Sequence, residues 1–513
     1  MATYYVDPQL GSDAANGTST STPWKLIPGQ SGSNSVSAGD TINIKNGSVS
    51  SIFVNVPANN LTYRGYDVAP NVLSLRLPVP NNPQGTYLKR VVRTEGSHEG
   101  MWTLRGITSS ACFAFGVRTG VVVEDMKIEA NSNQGGSVVT VGISSDSSAG
   151  ATMRRIWITD APETAITGYK ENITIEYIKI ERCGSDGINY NASATNGYRS
   201  GSIDRLQYAD ISHVGLTGSS NGDAFQTIVS SDQWLGKLYL ADIYVYKAAP
   251  VKQAMLLSDG TGGITMERFH FKGEEKAHVQ VGLETCKGPI NIRNGYIEGG
   301  CVDNAAFRFV TSSGVALATG AVLNISNVLV RARIHSGFFT AGSVAVAATT
   351  DGTVSITNCA IEGENVQRFT FSGDFSFHPS TVLTINANTK FNLRNNIVNS
   401  SGAYAVSLPP EATVTGSPNN WVVKNNAFTP NATFFFASGS SQTLAQFVAT
   451  HTAATNNVNP SLFNLNPDYS PKTTSGLYRT GLLTTLTLDQ SNSQRYNPPS
   501  MGPKEAPPTR SVR

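Results

Sequence analysis

Charge is scarce in this chain. Asp, Glu, Lys and Arg supply 14% of its 513 residues, against roughly 25% in an ordinary globular protein. The formal balance is +2, with no block of Lys or Arg. A nucleic-acid partner or an anionic membrane surface therefore finds no electrostatic footprint. No apolar run approaches the length of a membrane span, so insertion is not expected. The opening MATYYVDPQLGSD has neither a basic n-region nor an apolar h-region, and no secretion leader is read there. Cysteine is also sparse. Cys112, Cys183, Cys286, Cys301 and Cys359 are odd in number and without zinc-finger or CxxC spacing, which reads as buried structural thiols. A nucleotide-binding glycine loop, an HExxH helix and a serine elbow are missing too. The GTGG run at Gly260–Gly263 reads as a turn. No cofactor and no metal are expected.

Ser, Thr, Asn and Gly fill the gap, with 48 glycines alone. Such a surface is wetted by hydroxyls and amides, which suits work outside a cell or on neutral hydrogen-bonding ligands such as sugars. Within this background one short pattern returns, apolar-x-x-apolar-x-apolar. It reads VEDMKI ending at Ile128, MRRIWI at Ile158, ITIEYIKI at Ile180, IDRLQY at Tyr208, LADIYV at Val245 and MERFHF at Phe271. It continues as IRNGYI at Ile297, ISNVLV at Val330, ITNCAI at Ile361, LRNNIV at Val398 and VKNNAF at Phe428, at intervals of 22 to 37 residues. Alternation within a block makes a strand with one buried face. Strands returning at this spacing without intervening helices predict an all-β, single-stranded, right-handed parallel β-helix with capped ends. Asn294, Asn327, Asn358, Asn395 and Asn425 fall at one position of five consecutive blocks, the arrangement of a stacked amide ladder.

The expected organisation is a cap with first coils over 1–100, the β-helix over 101–430 and a C-terminal capping segment over 431–513. Each open end of a solenoid exposes an unpaired edge that needs cover. Leu444, Phe447 and Val448 in SQTLAQFVATH recur at helical spacing and predict a short amphipathic helix there.

Three segments carry a family likeness. They are YYVDPQLGSDAANGTSTSTPWKLI (Tyr4 to Leu26), SAGDTINIKNGS (Ser37 to Ser48) and LDQSNSQRYNPPSMGPKE (Leu488 to Glu505). Together they resemble the ends of the pectate-lyase-like right-handed β-helix proteins, among them secreted polysaccharide lyases and bacteriophage tailspikes or depolymerases. The resemblance implies carbohydrate handling outside the cell, by cleavage or by binding alone. With no leader read, it implies a tailspike-like virion protein that binds, and in its active form depolymerises, host surface polysaccharide. It also implies a homotrimer that contacts other virion proteins. The alternatives are a secreted bacterial polysaccharide lyase or hydrolase, and a structural or decorating β-helix without enzymatic activity.

Longer turns on one face of a solenoid make a groove, and the interval ending at Val245 carries such an insertion. Hydrolysis of a glycosidic bond needs two carboxyl groups at about 5 to 9.5 Å. Asp186 and Asp223 form the preferred pair, with Glu284 third. Aligning DGI with DAF stacks Asp186, Asp223 and Gln253 in one column. A competing alignment stacks Gln226, Gln253 and Gln280. Tyr190, Tyr198 and Trp234 are candidates for stacking on sugars, with Gln226 and Arg199 as polar contacts. A lyase would use a base and cations instead, such as His213 or His278 with Lys252 and Arg199. The plain alternative makes both aspartates turn residues that accept backbone N–H bonds.

Overall fold

The computed structural model describes residues 1–450 except 81, 97, 109–110, 132–135, 143–149, 170, 193–202, 218–221, 230–235, 249–252, 259–261, 285–287, 303–305, 312–321, 335–336, 344–352, 364–367, 371–389, 401–403, 409–420, 429–432 and 437–440. The chain divides into two compact units. One holds Met1–Leu77 with Tyr87–Gly262, the other Pro78–Thr86 with Gly263–Arg513.

In the first unit the chain alternates between two parallel sheets. The first sheet takes Val121–Glu129, Ala151–Ala161, Ile173–Cys183, Ile203–Ser212 and Lys237–Lys247. The second takes Phe113–Ala114, Val139–Val141, Ile166–Gly168, Ile188–Ala192, Phe225–Val229 and Met255–Ser258. One strand of each, with its turns, makes one coil, as a parallel β-helix requires. The first sheet begins earlier than the repeats, because Thr3–Val6 pairs with Thr41–Lys45 and that strand with Thr62–Tyr66. The second unit repeats the alternation. Ile264–His278, Ile290–Val302 and Val322–Ile334 lead one parallel sheet, and Val281–Glu284, Phe307–Thr311 and Gly337–Ser343 lead the other.

The recurring motif has a conformational cause. In Val121–Glu129, Val123, Met126 and Ile128 are wholly buried, so two positions separate the first pair of inward residues. The second of these, Asp125, has φ of 59°. A left-handed residue turns the strand through a corner and brings the next side chain inward again. The same corner recurs at Arg155, Tyr177, Tyr208 and Asp242 in the first unit. In the second it falls at Arg268, Asn294, Asn327, Asn358, Asn395 and Asn425, all with φ between 53° and 59°. Such a conformation costs an ordinary L-residue about 1–2 kcal/mol, and Asn tolerates it better than most. The amides also bond between coils, from Asn327 to Asn294 at 3.2 Å and from Asn395 to Asn358 at 3.1 Å. The expected column thus occupies the corner, but its amides bond in pairs: the Asn358 Nδ2 has no hydrogen-bond partner, so the ladder is interrupted between Asn327 and Asn358.

Where the corner residue is not Asn, other contacts hold it. Asp125 accepts from Arg155 at 2.6 Å and from Arg93 at 3.0 Å. Tyr177 and Tyr208 stack at 4.6 Å. This corrects one block. Ile180 pairs with Ile211 and Ile211 with Val245, so Tyr208 is a corner and the repeat ends at Ile211. The intervals on either side become 31 and 34 residues. Tyr208 passed for an inward apolar position because an aromatic ring was read as core.

Inside the coil, packing is jigsaw-like. Gly295 sits opposite Phe269, whose ring would lie 1.9 Å from any Cβ placed there. In the last described coils the interior turns polar. Asn396 and Asn426 are wholly buried, and each donates to an inner carbonyl, of Ile356 and Leu393 respectively, at 3.0 Å. Cys112, Cys183 and Cys359 are buried thiols, as expected. At the start of the chain Trp24 stacks on Tyr4 at 4.3 Å, and Gly17, with φ of 69°, lies flat against the indole. The helix Leu444–Thr450 forms where the spacing placed it. Phe447 anchors it, while Val448 is exposed, because a two-turn helix can bury little more than one row.

Two stability measurements follow. Asn395→Ala removes both the corner preference and the amide bond, and is expected to lower the unfolding free energy by about 2 kcal/mol in chemical denaturation. Asn395→Gly keeps the corner and should recover part of that loss. Asp204 is fully buried with one oxygen on the Ile173 N–H at 2.7 Å, and burial pushes its carboxyl from 3.8 up to about 8. The native state therefore holds this proton more tightly than the unfolded chain does. Its contribution is intact below about pH 4 and is lost as pH rises toward 8. Asp204→Asn should flatten that part of the stability–pH curve, and an unchanged curve would assign the loss to another group.

Candidate functional site

The turn column comes first, because the expected catalytic pair lies in it. Ile188 pairs with Phe225 and Phe225 with Met255, so Asp186, Asp223 and Gln253 do share one column. The competing alignment fails: Gln226 pairs with Asn189 and Leu256. The direction of the side chains corrects the expectation that these two carboxyl groups face outward. Asp186 and Asp223 are 1% and 0% exposed. Asp186 Oδ1 accepts the Asp223 N–H at 3.0 Å and Asp223 Oδ1 accepts the Gln253 N–H at 2.8 Å. Each carboxylate bonds the backbone of the next coil, which is the turn arrangement. Lys247, also fully buried, completes the network.

The other expected residues are dispersed. Tyr190 is no stacking platform, since its ring is buried edge-on against Phe225. Gln226 is likewise buried. Glu284 and His278 belong to the second unit, at the ends of Val281–Glu284 and Ile264–His278. Tyr198, Arg199, Trp234 and Lys252 lie outside the described residues.

His213 is placed differently. It lines a cleft of about 410 Å³ in the first unit, with Ser74, Arg76, Leu88, Lys179, Glu181, Arg182, Asp210 and Ser212. One wall is the outer face of the first sheet. Lys179 pairs with Asp210 and Glu181 with Ser212, so they stand in adjacent outward columns. Arg182 and His213 follow in the left-handed conformation, φ 61° and 55°, at a second corner that Asp160 shares on the preceding coil. The other wall comes from strands Leu73–Val79 and Asn82–Val91, which form a separate two-stranded sheet. Leu73, Leu75 and Leu77 alternate along the first strand and pack with Val91 and Met101 against Trp157, Tyr177 and Tyr208. Arg76, on the opposite phase, engages the buried Asp210 carboxylate through Nε at 3.1 Å and Nη2 at 2.8 Å. Its backbone N–H adds a third bond at 2.8 Å.

The cleft's charges are already ordered. Glu181 accepts from the Trp157 indole at 2.9 Å and pairs with Lys179 at 3.0 Å. Arg182 pairs with Asp160 at its outer rim. The His213 ring stands edge-on to Tyr246, 5.1 Å between centroids. Three cations and an imidazole thus border one opening, and both lining carboxylates are engaged. Sequence reading singled out His213 but missed the rest. Arg76 and Leu88 reach the cleft from about 100 residues away, and only the alternation of Leu73, Leu75 and Leu77 signalled a strand there.

The second unit carries another polar cluster, also missed. Glu298 pairs with His270 at 3.0 Å and Lys272 at 3.1 Å, and accepts from the Tyr296 hydroxyl at 2.9 Å. Burial pushes the Glu298 carboxyl up, but the bonds from His270, Lys272 and Tyr296 outweigh it and hold the group near 2. An apolar column of Leu329, Ala360, Ile397 and Ala427 continues from Tyr296. Among the described residues no three His, Cys, Asp or Glu side chains converge on a metal position, and no helix is long and apolar enough to cross a membrane.

No protein-family model matches the chain, and no curated protein matches it. Solved structures do. XylC in complex with xylose aligns over 98% of both chains at 10% identity and a TM-score of 0.43. Pectate lyase Pel9A aligns over 99% of this chain and 97% of its own at 12% identity and 0.35. A tailspike protein of Acinetobacter baumannii bacteriophage Fri1, a capsular polysaccharide depolymerase, aligns over 71% and 56% at 12% identity and 0.30. Likeness at this level says nothing of activity, and the fold rests on the strand registers given above.

Arg76→Met leaves the Asp210 carboxylate, 1% exposed, without its charged partner. The expected cost is about 2–3 kcal/mol of unfolding free energy. Coupling near zero in a double-mutant cycle with Asp210→Asn would show that the pair does not fasten the hairpin.

Proposed function

We propose that this protein is a tailspike-like β-helix that binds an acidic bacterial surface polysaccharide in the cleft lined by Arg76, Lys179, Arg182 and His213. The observation that carries this reading is the cleft's composition. Cations on rigid strand positions, with Ser74 and Ser212 between them, offer charge-assisted bonds to carboxylates and ordinary bonds to hydroxyls. Its size falls among small-ligand sites, about 300–1,000 Å³, so it holds a short stretch of glycan and leaves the remainder to the outer face. Virion attachment and a homotrimeric state belong to the same proposal and draw support from the sequence resemblance alone.

A second reading is eliminative cleavage, favoured by His213 standing beside Arg182. The imidazole would take the proton next to a uronate carboxylate, the cations would stabilise the charge that develops there, and the C4–oxygen bond would break. Two-carboxylate hydrolysis has less support. Asp186 and Asp223 are sealed, and Glu181 and Asp210 are held by cations and an indole.

Binding of the full chain to acidic and neutral capsular and O-antigen polysaccharides tests the proposal. Acidic glycans should bind, and Lys179→Ala should weaken them about tenfold, or about 1.4 kcal/mol. Retention of neutral glycans only, or an unaffected Lys179→Ala variant, would sink the site assignment. New reducing ends with ultraviolet absorbance of an unsaturated uronate, abolished in His213→Ala, would establish elimination. New ends without that absorbance would return the search to carboxylates.

A further inference from the structure

The two walls of the cleft differ in kind. The sheet wall presents Lys179, Arg182 and His213. On the hairpin wall Arg76 is committed elsewhere, since its guanidinium holds the buried Asp210 carboxylate and lies over the Tyr244 ring at 4.8 Å. What this wall offers a ligand is Ser74 and Leu88. Among the described residues that line the cleft Leu88 alone is apolar, and it is 71% exposed.

A single exposed leucine on an open surface needs no explanation. Leu88 differs in its setting. It belongs to the strand Asn82–Val91, along which side chains alternate between two faces. Lys89, on the opposite phase, lies over the Tyr177 and Tyr208 rings at 5.0 and 4.8 Å. Val91, on the same phase as Lys89, packs with Leu73, Leu75 and Leu77. These contacts hold one face of the strand on the sheet, and Leu88 stands on the other face, in the cleft. An apolar side chain is thus kept in water on the wall that faces a row of cations. Covering it with apolar surface releases that water and is favourable. A ligand hydroxyl or carboxylate pressed against it would lose its own water and gain no bond. The chemistry that suits both walls at once is an anionic group with a methyl group beside it.

We propose that Leu88 seats a methyl group carried by the acidic glycan, either that of an acetyl ester or the C6 methyl of a 6-deoxy sugar. This rests on the reading of the cleft as an acidic-glycan site, and it narrows the ligand from acidic polysaccharides in general to substituted ones. The cations take the carboxylate, Leu88 takes the methyl, and Ser74 and Ser212 are placed to bond ring hydroxyls. An unsubstituted uronate chain satisfies the sheet wall and leaves Leu88 uncovered.

Binding of the full chain to four acidic glycans tests this: an O-acetylated one, the same one after mild alkaline removal of its acetyl esters, an unacetylated one containing a 6-deoxy sugar, and an unsubstituted polyuronate. A methyl-bearing chain should bind about fivefold more tightly than its methyl-free counterpart, the gain from one methyl covered on an open wall. A preference lost with the acetyl groups identifies the ester, and a preference confined to the deoxy chain identifies the C6 methyl. Leu88→Ser should remove the preference while the unsubstituted polyuronate binds as before, which also shows that the variant is folded. A preference that survives Leu88→Ser overturns the proposal. Equal affinity of the parent chain for all four glycans also overturns it but leaves the acidic-glycan reading standing, whereas no binding to any of them overturns both.

Discussion

Each coil has to hand its backbone N–H and C=O groups to the coil above and below, and everything else here answers to that demand. A parallel strand pairs with its neighbour only if both turn their corners at the same residue. A single left-handed position, kept in register from Asp125 to Asp242 in the first unit and from Arg268 to Asn425 in the second, is how this chain meets the requirement. The corner explains the spacing of the inward residues, the choice of Asn in the second unit and the ion pairs and stacked tyrosines of the first. It also fixes which side chains point outward, and so what the cleft can be made of.

The same demand reaches the turns. Backbone groups leaving one sheet for the other have no strand partner, and buried side chains take over. Asp186 and Asp223 each accept a backbone N–H of the following coil, and Lys247 donates to two carbonyls. Residue types that normally signal chemistry are here consumed by architecture. Conversely, on the outer face of the first sheet strand bonds are already complete, and side chains such as Lys179, Glu181 and Asp210 pair with one another or with Arg76.

Much of the fold could be read from the sequence because a solenoid writes one local rule many times. The recurring block, the Asn column and the helix at Leu444 all report neighbours a coil away or closer. The error at Tyr208 shows the limit of that reading. An aromatic ring at a corner looks like an aromatic ring in a core until the pairing of Ile180 with Ile211 is known. Tyr190 gave the opposite error, a core ring taken for a sugar platform.

The candidate site was less legible. The order of the coils is enough to stack Asp186 on Asp223, and the sequence by itself determined that column, the repeat and the polar, weakly charged surface. Whether those carboxylates face water or backbone is decided by strand twist and turn geometry, which no spacing encodes. The cleft depends on a contact of still longer range. Arg76 meets Asp210 across 134 residues, through a hairpin laid on the sheet by three alternating leucines. Only tertiary structure could decide that meeting, because side-chain periodicity specifies which face of a strand is apolar and says nothing about which distant surface will cover it.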